Sequence, residues 1–343
     1  AGRRQRQMCI RDRQYSAALA EKKAHLFTPM DHTRFGYNWW IDYGGGPPSG
    51  EKYFFVRNAE PGYTFYERGT VNGERKRDFI DAGDARPLGV LIYYLLSDQA
   101  KEVSLAILDA EGNEIRSWGM DEIPTERFAS FDNRGYGQDL VTGQPAVNVG
   151  AGLNRFVWDM RYPPVSGIPG LPPVIINPIA APGTYQVRLT VDGDVQTQDF
   201  EMKINPNETY TREETDAKKR AWMALYEKAE DGVQAVLRAQ AAREKVKSAA
   251  EGSGAGATQA QKIVELATEF ESGMVATGTT LVQIISEPTK PLSLLVTLHN
   301  VQEHSEGPPN QPWLEVFEKI AGEMDAKIAE FDQALAREMK GIQ

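Results

Sequence analysis

Cysteine is nearly missing from this chain: Cys9 is the single one among 343 residues. One thiol makes no internal disulfide and no Cys-based zinc site. Histidine is almost as scarce. The four present are His25, His32, His299 and His304, and the nearest two in sequence are five apart, off the i, i+4 spacing that sets two ligands on one helical face. Long hydrophobic runs are also lacking. The longest, 89–96 and 292–298, fall far below the ~20 residues of a bilayer span, so no transmembrane segment is expected. There is no GxSxG elbow and no P-loop, and the GSGAG at 252–256 follows no strand and opens no βαβ unit. These absences leave no catalytic, metal or cofactor-binding residue to nominate, and no cofactor is expected.

Charge is unevenly placed. Residues 1–13, AGRRQRQMCIRDR, carry five Arg against Asp12 in a chain that is otherwise acidic, and they contain no apolar core of a secretory signal. The string resembles the translation of sequencing-adapter DNA, which implies a stretch foreign to the native protein; the other reading is a basic arm that touches nucleic acid or membrane. The net charge of −10 includes +4 from this stretch (five Arg less Asp12), so the remainder stands at −14. A balance that negative argues against a nucleic-acid partner. On the adapter reading Cys9 is not native either, and the expectation is an incomplete gene product whose export signal lies outside the sequence.

What is present is scaffold patterning. In the stretch APGTYQVRLTVDGDVQTQDFEMKI, Tyr185, Val187, Leu189 and Val191 alternate with Gln186, Arg188, Thr190 and Asp192. Period two puts one apolar face on a core and one polar face in water. Asp192-Gly193-Asp194 turns the chain, and Phe200, Met202 and Ile204 resume the alternation, so a β-hairpin is predicted. Val90 to Leu96 reads as a strand rich in β-formers, and Val103, Leu105 and Ile107 begin a second hairpin through the turn at 109–113. Asn154 to Asp159 adds a strand with Phe156 and Trp158 on one face. About six strands at hairpin spacing, with no helical pattern between them, predict an immunoglobulin-like sandwich over 81–206. Residues 14–80 read as an aromatic-rich, irregular connector, with short strands at Tyr53 to Val56 and Tyr63 to Tyr66.

Past Asn205-Pro206-Asn207 the period changes to 3.6 residues. Thr211 with Glu214 spells a capping box, and Trp222, Leu225, Ala229, Val233 and Val236 share a helical face. EGSGAGAT from Glu251 reads as an interhelix loop. Further stripes follow: Ile263, Leu266, Phe270 and Met274, then Leu294, Leu295, Leu298 and Val301. The last helix starts near Pro312 and carries Phe317, Ile320, Met324, Ile328, Phe331, Leu335 and Met339. Residues 207–343 are therefore expected to form a helical domain of about four helices, packed as a bundle or a pair of hairpins.

Three acidic pairs invite a catalytic reading: Asp81 with Asp84, Asp109 with Glu111, and Asp192 with Asp194. Each sits beside Gly in a predicted turn, where Asp caps its own backbone, and a glycosidase pair has to face one cleft at a set separation. Trp158, Asp159 and Arg161 of NRFVWDMRY offer a recognition patch, weighed against a buried strand tryptophan with a charged pair at the strand end. Tyr37, Trp39, Trp40 and Tyr43 offer a sugar-stacking platform, weighed against rings packed on a neighbouring domain.

Taken in order, HLFTPMDHTRF, RPLGVLIYYLL, VSLAILDAEGNEIR, AGLNRFVWDMRY and APGTYQVRLTVDG resemble the C-terminal region of bacterial sortilin-like, BNR-repeat proteins, as does the layout of PTKPLSLLVTLHNVQ before the last helix. The resemblance implies an α+β arrangement, an Ig-like antiparallel β-sandwich followed by a C-terminal α-helical bundle, attached to an upstream β-propeller. It implies export to the periplasm, cell surface or medium, with the propeller as the main partner and a protein or glycan ligand as a further one. That family is often labelled glycosyl hydrolase, but no blade repeat with its Asp-box turns occurs here. No position matches a catalytic motif, so the expected role is accessory, with an accessory part of a sialidase-like hydrolase or a carbohydrate- or peptide-binding module as alternatives.

Overall fold

Alternation sets the strands. Along Val90, Ile92, Tyr94 and Leu96 every second side chain is sealed from solvent while Leu91, Tyr93 and Leu95 stay half-buried, as a strand with one face on a core requires. The structure, a computed structural model, describes residues 19, 21–34, 52–55, 64–71, 74–79, 89–121, 146–171, 176–206, 208–276, 290–303 and 307–341. In chain order the elements are β1 (Ala24–Leu26), β2 (His32–Thr33), β3 (Lys52–Phe55), β4 (Thr64–Val71), β5 (Glu74–Phe79), β6 (Val90–Leu96), β7 (Val103–Leu108), β8 (Glu114–Trp118), β9 (Gly152–Trp158), β10 (Gly183–Val191) and β11 (Asp194–Lys203). Four helices follow: α1 (Arg212–Ala250), α2 (Ala255–Met274), α3 (Pro291–Glu303) and α4 (Gln311–Met339). No helix is long and apolar enough to cross a membrane among the described residues.

The strands make three sheets. One is antiparallel, in the order β1-β6-β9; a second is mixed, β2-β11-β10-β7-β8, with β2 parallel to β11; the third is the antiparallel meander β3-β4-β5. The inward faces of the first two sheets meet in one core. Leu26, Ile92, Tyr94, Phe156 and Trp158 from the first pack with Leu105, Ile107, Val187, Leu189 and Met202 from the second. Each fully buried aliphatic of this kind contributes on the order of 1.5–3 kcal/mol. The hairpin β10–β11 closes through Asp192 and Gly193, whose φ values of 49° and 92° are both positive, as a type I′ turn demands.

Two sequence expectations change here. The first two sheets draw β1 and β2 from residues 24–33, on the far side of position 81 from their partners. The stretch read as irregular with two short strands holds the three strands β3, β4 and β5. Its signal was Asn72-Gly73 between β4 and β5, the dipeptide favoured in two-residue hairpin connections.

The helices begin where capping chemistry places them. Thr211 Oγ1 accepts from the Glu214 backbone N–H, and the Glu214 carboxylate accepts from the Thr211 N–H, completing the predicted capping box of α1. Asn310 caps α4 through the Trp313 N–H, with Pro312 in the first turn. The loop between α1 and α2 is shorter than EGSGAGAT suggests. Thr258 donates from N–H and hydroxyl to the Gly254 carbonyl, which closes a helical turn across Gly256 and leaves 251–254 as the link.

All four helices share a second core of Leu225, Val233, Val236, Phe270, Leu295, Met324 and Phe331. Phe270 and Phe331 stack with centroids 4.1 Å apart. At Gly232 an added methyl would lie 2.8 Å from Leu292 and 2.9 Å from Met324, so α1 meets α3 and α4 at close range there. The face α3 presents is rotated from the expected one. Leu292, Leu295, Val296, His299 and Gln302 are buried, whereas Val301 is 64% exposed and Leu294 and Leu298 are half-buried. A stripe starting at Leu292 satisfies the same helical period, and the buried polar residues His299 and Gln302 hid it.

The two cores exchange side chains. Trp222 of α1 lies in the core between the sheets, while Val165, Ile168 and Ile176, from the segment between β9 and β10, lie in the core between the helices. On one side of this seam, Ser166 donates to Glu230 of α1 from both its backbone N–H and its hydroxyl, at 2.9 and 2.6 Å. Gln240 donates to the Pro169 carbonyl at 3.1 Å.

Three outcomes are expected. At Gly89, φ is +131° and an added Cβ would sit 2.2 Å from the Trp158 carbonyl oxygen; Gly89→Ala destabilises by at least ~2 kcal/mol in urea denaturation. Trp222→Ala costs ~3–5 kcal/mol and moves the near-UV signal of the sheets and the far-UV signal of the helices together; a helical transition left at its original midpoint would contradict the shared seam. Burial pushes the Glu230 carboxyl up, but the Ser166 hydroxyl and N–H and the Gln234 amide outweigh it, and its pKa lies below the ordinary value. A folded pKa below the unfolded one, ~4.3, stabilises fully above that value and is lost as pH falls through the lower one. Glu230→Gln therefore costs roughly 1 kcal/mol at pH 7, and the gap to the parent protein closes as pH is taken below ~4.

Candidate functional site

Two of the acidic pairs can be placed. Asp109 lies in the turn between β7 and β8, where one carboxylate oxygen accepts from the backbone N–H groups of Glu111 and Asn113 and the other from the Asn113 side chain at 3.0 Å. Burial pushes this carboxyl up, but those donors outweigh it and hold it below the usual carboxylate range. Asp192, at the tip of β10–β11, accepts from the Lys101 and Glu102 N–H groups at 3.0 and 2.9 Å, and its own N–H donates to the Glu102 carbonyl. Each carboxylate holds a turn. Asp81 and Asp84 lie outside the described residues.

The NRFVWDMRY segment is split between core and surface: Asn154, Phe156, Trp158 and Met160 are buried, while Arg155 and Asp159 are exposed and Arg161 is half-buried. Trp158 is fully buried at the end of β9, edge-on to Phe200 and tilted on Tyr185, and its indole N–H donates to the Arg161 carbonyl at 3.1 Å. Tyr185 donates its phenol to the Ala181 carbonyl four residues back. Asp159 accepts from the Arg161 N–H and pairs with Arg116 at 3.3 Å, while Arg161 reaches the Asn177 carbonyl at 2.9 Å. Arg116 also lies over the Trp118 ring, 5.1 Å from its centroid. The Asp159–Arg161 end of the strand is thus tied to the segment that feeds the helical core. Tyr94 is another inward phenol; it donates to the Asn148 carbonyl at 2.6 Å, and burial pushes it up to about 12.

The three described histidines stand on separate elements. His25 of β1 packs edge-on to Phe27 at 4.8 Å, and burial together with the Lys22 charge lowers its pKa. His32 is buried on β2. His299 of α3 stacks on Trp222 with centroids 5.3 Å apart, and the same indole carries the Lys218 ammonium 4.4 Å from its centroid. Lys218, Trp222 and His299, all sealed from solvent, form a polar and aromatic knot where α1 meets α3. The sequence singled out Trp222 as a core residue and missed Lys218, which reads as a surface lysine until its place four residues before Trp222 on the same face is noticed. His304, Cys9 and the rings of Tyr37, Trp39, Trp40 and Tyr43 lie outside the described residues.

A crevice lined by Arg34, Asn205, Tyr210 and Thr215, where β2 and the end of β11 meet the start of α1, holds about 10 Å³, room for one water. Small-molecule sites run to hundreds of Å³. Among the described residues no three His, Cys, Asp or Glu side chains are grouped to hold a metal ion. The arrangement of the described residues can fix turns and lock elements together.

Asp192→Ala is expected to destabilise by ~1–2 kcal/mol, because two backbone donors at the start of β7 lose their acceptor. Amide exchange at Lys101 and Glu102 should accelerate selectively, and unchanged protection there would show that the carboxylate does not hold the turn.

No family model matches the chain, and no curated protein matches it. Among solved structures, CopC from Methylosinus trichosporium OB3b aligns with 38% of this chain and 86% of its own, at 15% identity and a TM-score of 0.16. A superposition that weak has no bearing on fold or function.

Proposed function

We propose that this chain is a non-catalytic accessory region of an exported sortilin-like, BNR-repeat propeller protein, in which an Ig-like sandwich and a helical bundle brace the propeller or mediate assembly. The observation that carries this reading is the exchange across the seam. Trp222 sits among the sheets and Val165, Ile168 and Ile176 among the helices, so the two halves make one stiff body suited to holding a neighbour in place. The turn-bound carboxylates of Asp109 and Asp192 and the buried Trp158 support it from the other side, since polar groups that brace backbone are not free to turn over a substrate. The Ig-like assignment draws on Tyr185, whose bond to the Ala181 carbonyl resembles the tyrosine corner of such domains, and on the buried Trp158. Export to the periplasm, cell surface or medium follows from the sequence resemblance.

The purified chain is expected to give no turnover on a panel of aryl glycosides and sialosides above a no-protein control. Glycosidase activity abolished by Asp109→Asn or Asp192→Asn, in variants that still fold, would overturn the proposal. Saturable binding on a glycan array without turnover would point instead to a carbohydrate-binding module.

A further inference from the structure

We draw no further inference here: the strongest candidate, the apolar outer face of the β1-β6-β9 sheet formed by Leu91, Leu95, Leu153 and Val157, carries nothing because nothing in the structure shows what covers it.

Discussion

The placement of α1 is the constraint on which the rest depends. A helix of 39 residues is about 58 Å long at ~1.5 Å per residue, far more than one small core can cover. Its N-terminal part gives Trp222 to the sheets, its middle gives Leu225 to Ala239 to the other helices, and its end packs Val246 against Ala260 and Ile263 of α2. A helix that is buried in three places has few ways to move. The segment between β9 and β10 answers from the opposite direction, since Val165 donates its N–H to the Ile176 carbonyl and both side chains enter the helical core. Removing either contribution leaves an apolar void in the partner's core, which is why the seam should couple the two halves during unfolding.

Polar chemistry follows that constraint. Where chain segments have to leave regular structure near the seam, a side chain takes up the backbone groups they expose. Asp159 takes the Arg161 N–H, Arg161 takes the Asn177 carbonyl, Glu230 takes the Ser166 N–H, and Trp158 takes the Arg161 carbonyl. Met160, in the middle of this set, has φ of 63°, a region that a non-glycine residue enters only when its neighbours hold it there. Strain at such a residue often marks a functional site. Here its N-terminal neighbour Asp159 and C-terminal neighbour Arg161 are both engaged with backbone, and its carbonyl accepts from the Ala180 N–H at 2.7 Å, so the strain is accounted for by the sharp exit from β9.

Local rules carried the reading of the sequence a long way where one period ran unbroken. The β10–β11 hairpin, the β7–β8 hairpin and the capping box of α1 all rest on contacts within a few residues, and each is visible in spacing alone. Non-local pairing was not. β1 and β2 are three and two residues long, too short for a period to register, and each is a strand only because β6 or β11 offers a free edge. The rotated face of α3 failed for a related reason. His299 and Gln302 count as polar in any pattern, yet a ring stack on Trp222 and a bond from the Gln302 amide to the Gly307 carbonyl make both suitable for burial.

The same logic bears on what a functional group would look like in this chain. A carboxylate that serves as a general acid near neutral pH needs burial or a like charge nearby to raise its pKa, whereas one that serves as nucleophile or base stays ionised. Asp109 and Glu230 are only half-buried, and in both the hydrogen-bond donors outweigh that burial, so the group ends below its ordinary pKa and is an anion at neutral pH. Glu214 and Glu338 are lowered in the same direction, by the Thr211 cap and by the Gln259 amide. Each of these carboxylates anchors a turn, a helix start or a contact between elements, so substituting one removes a constraint on shape before it could remove any chemistry.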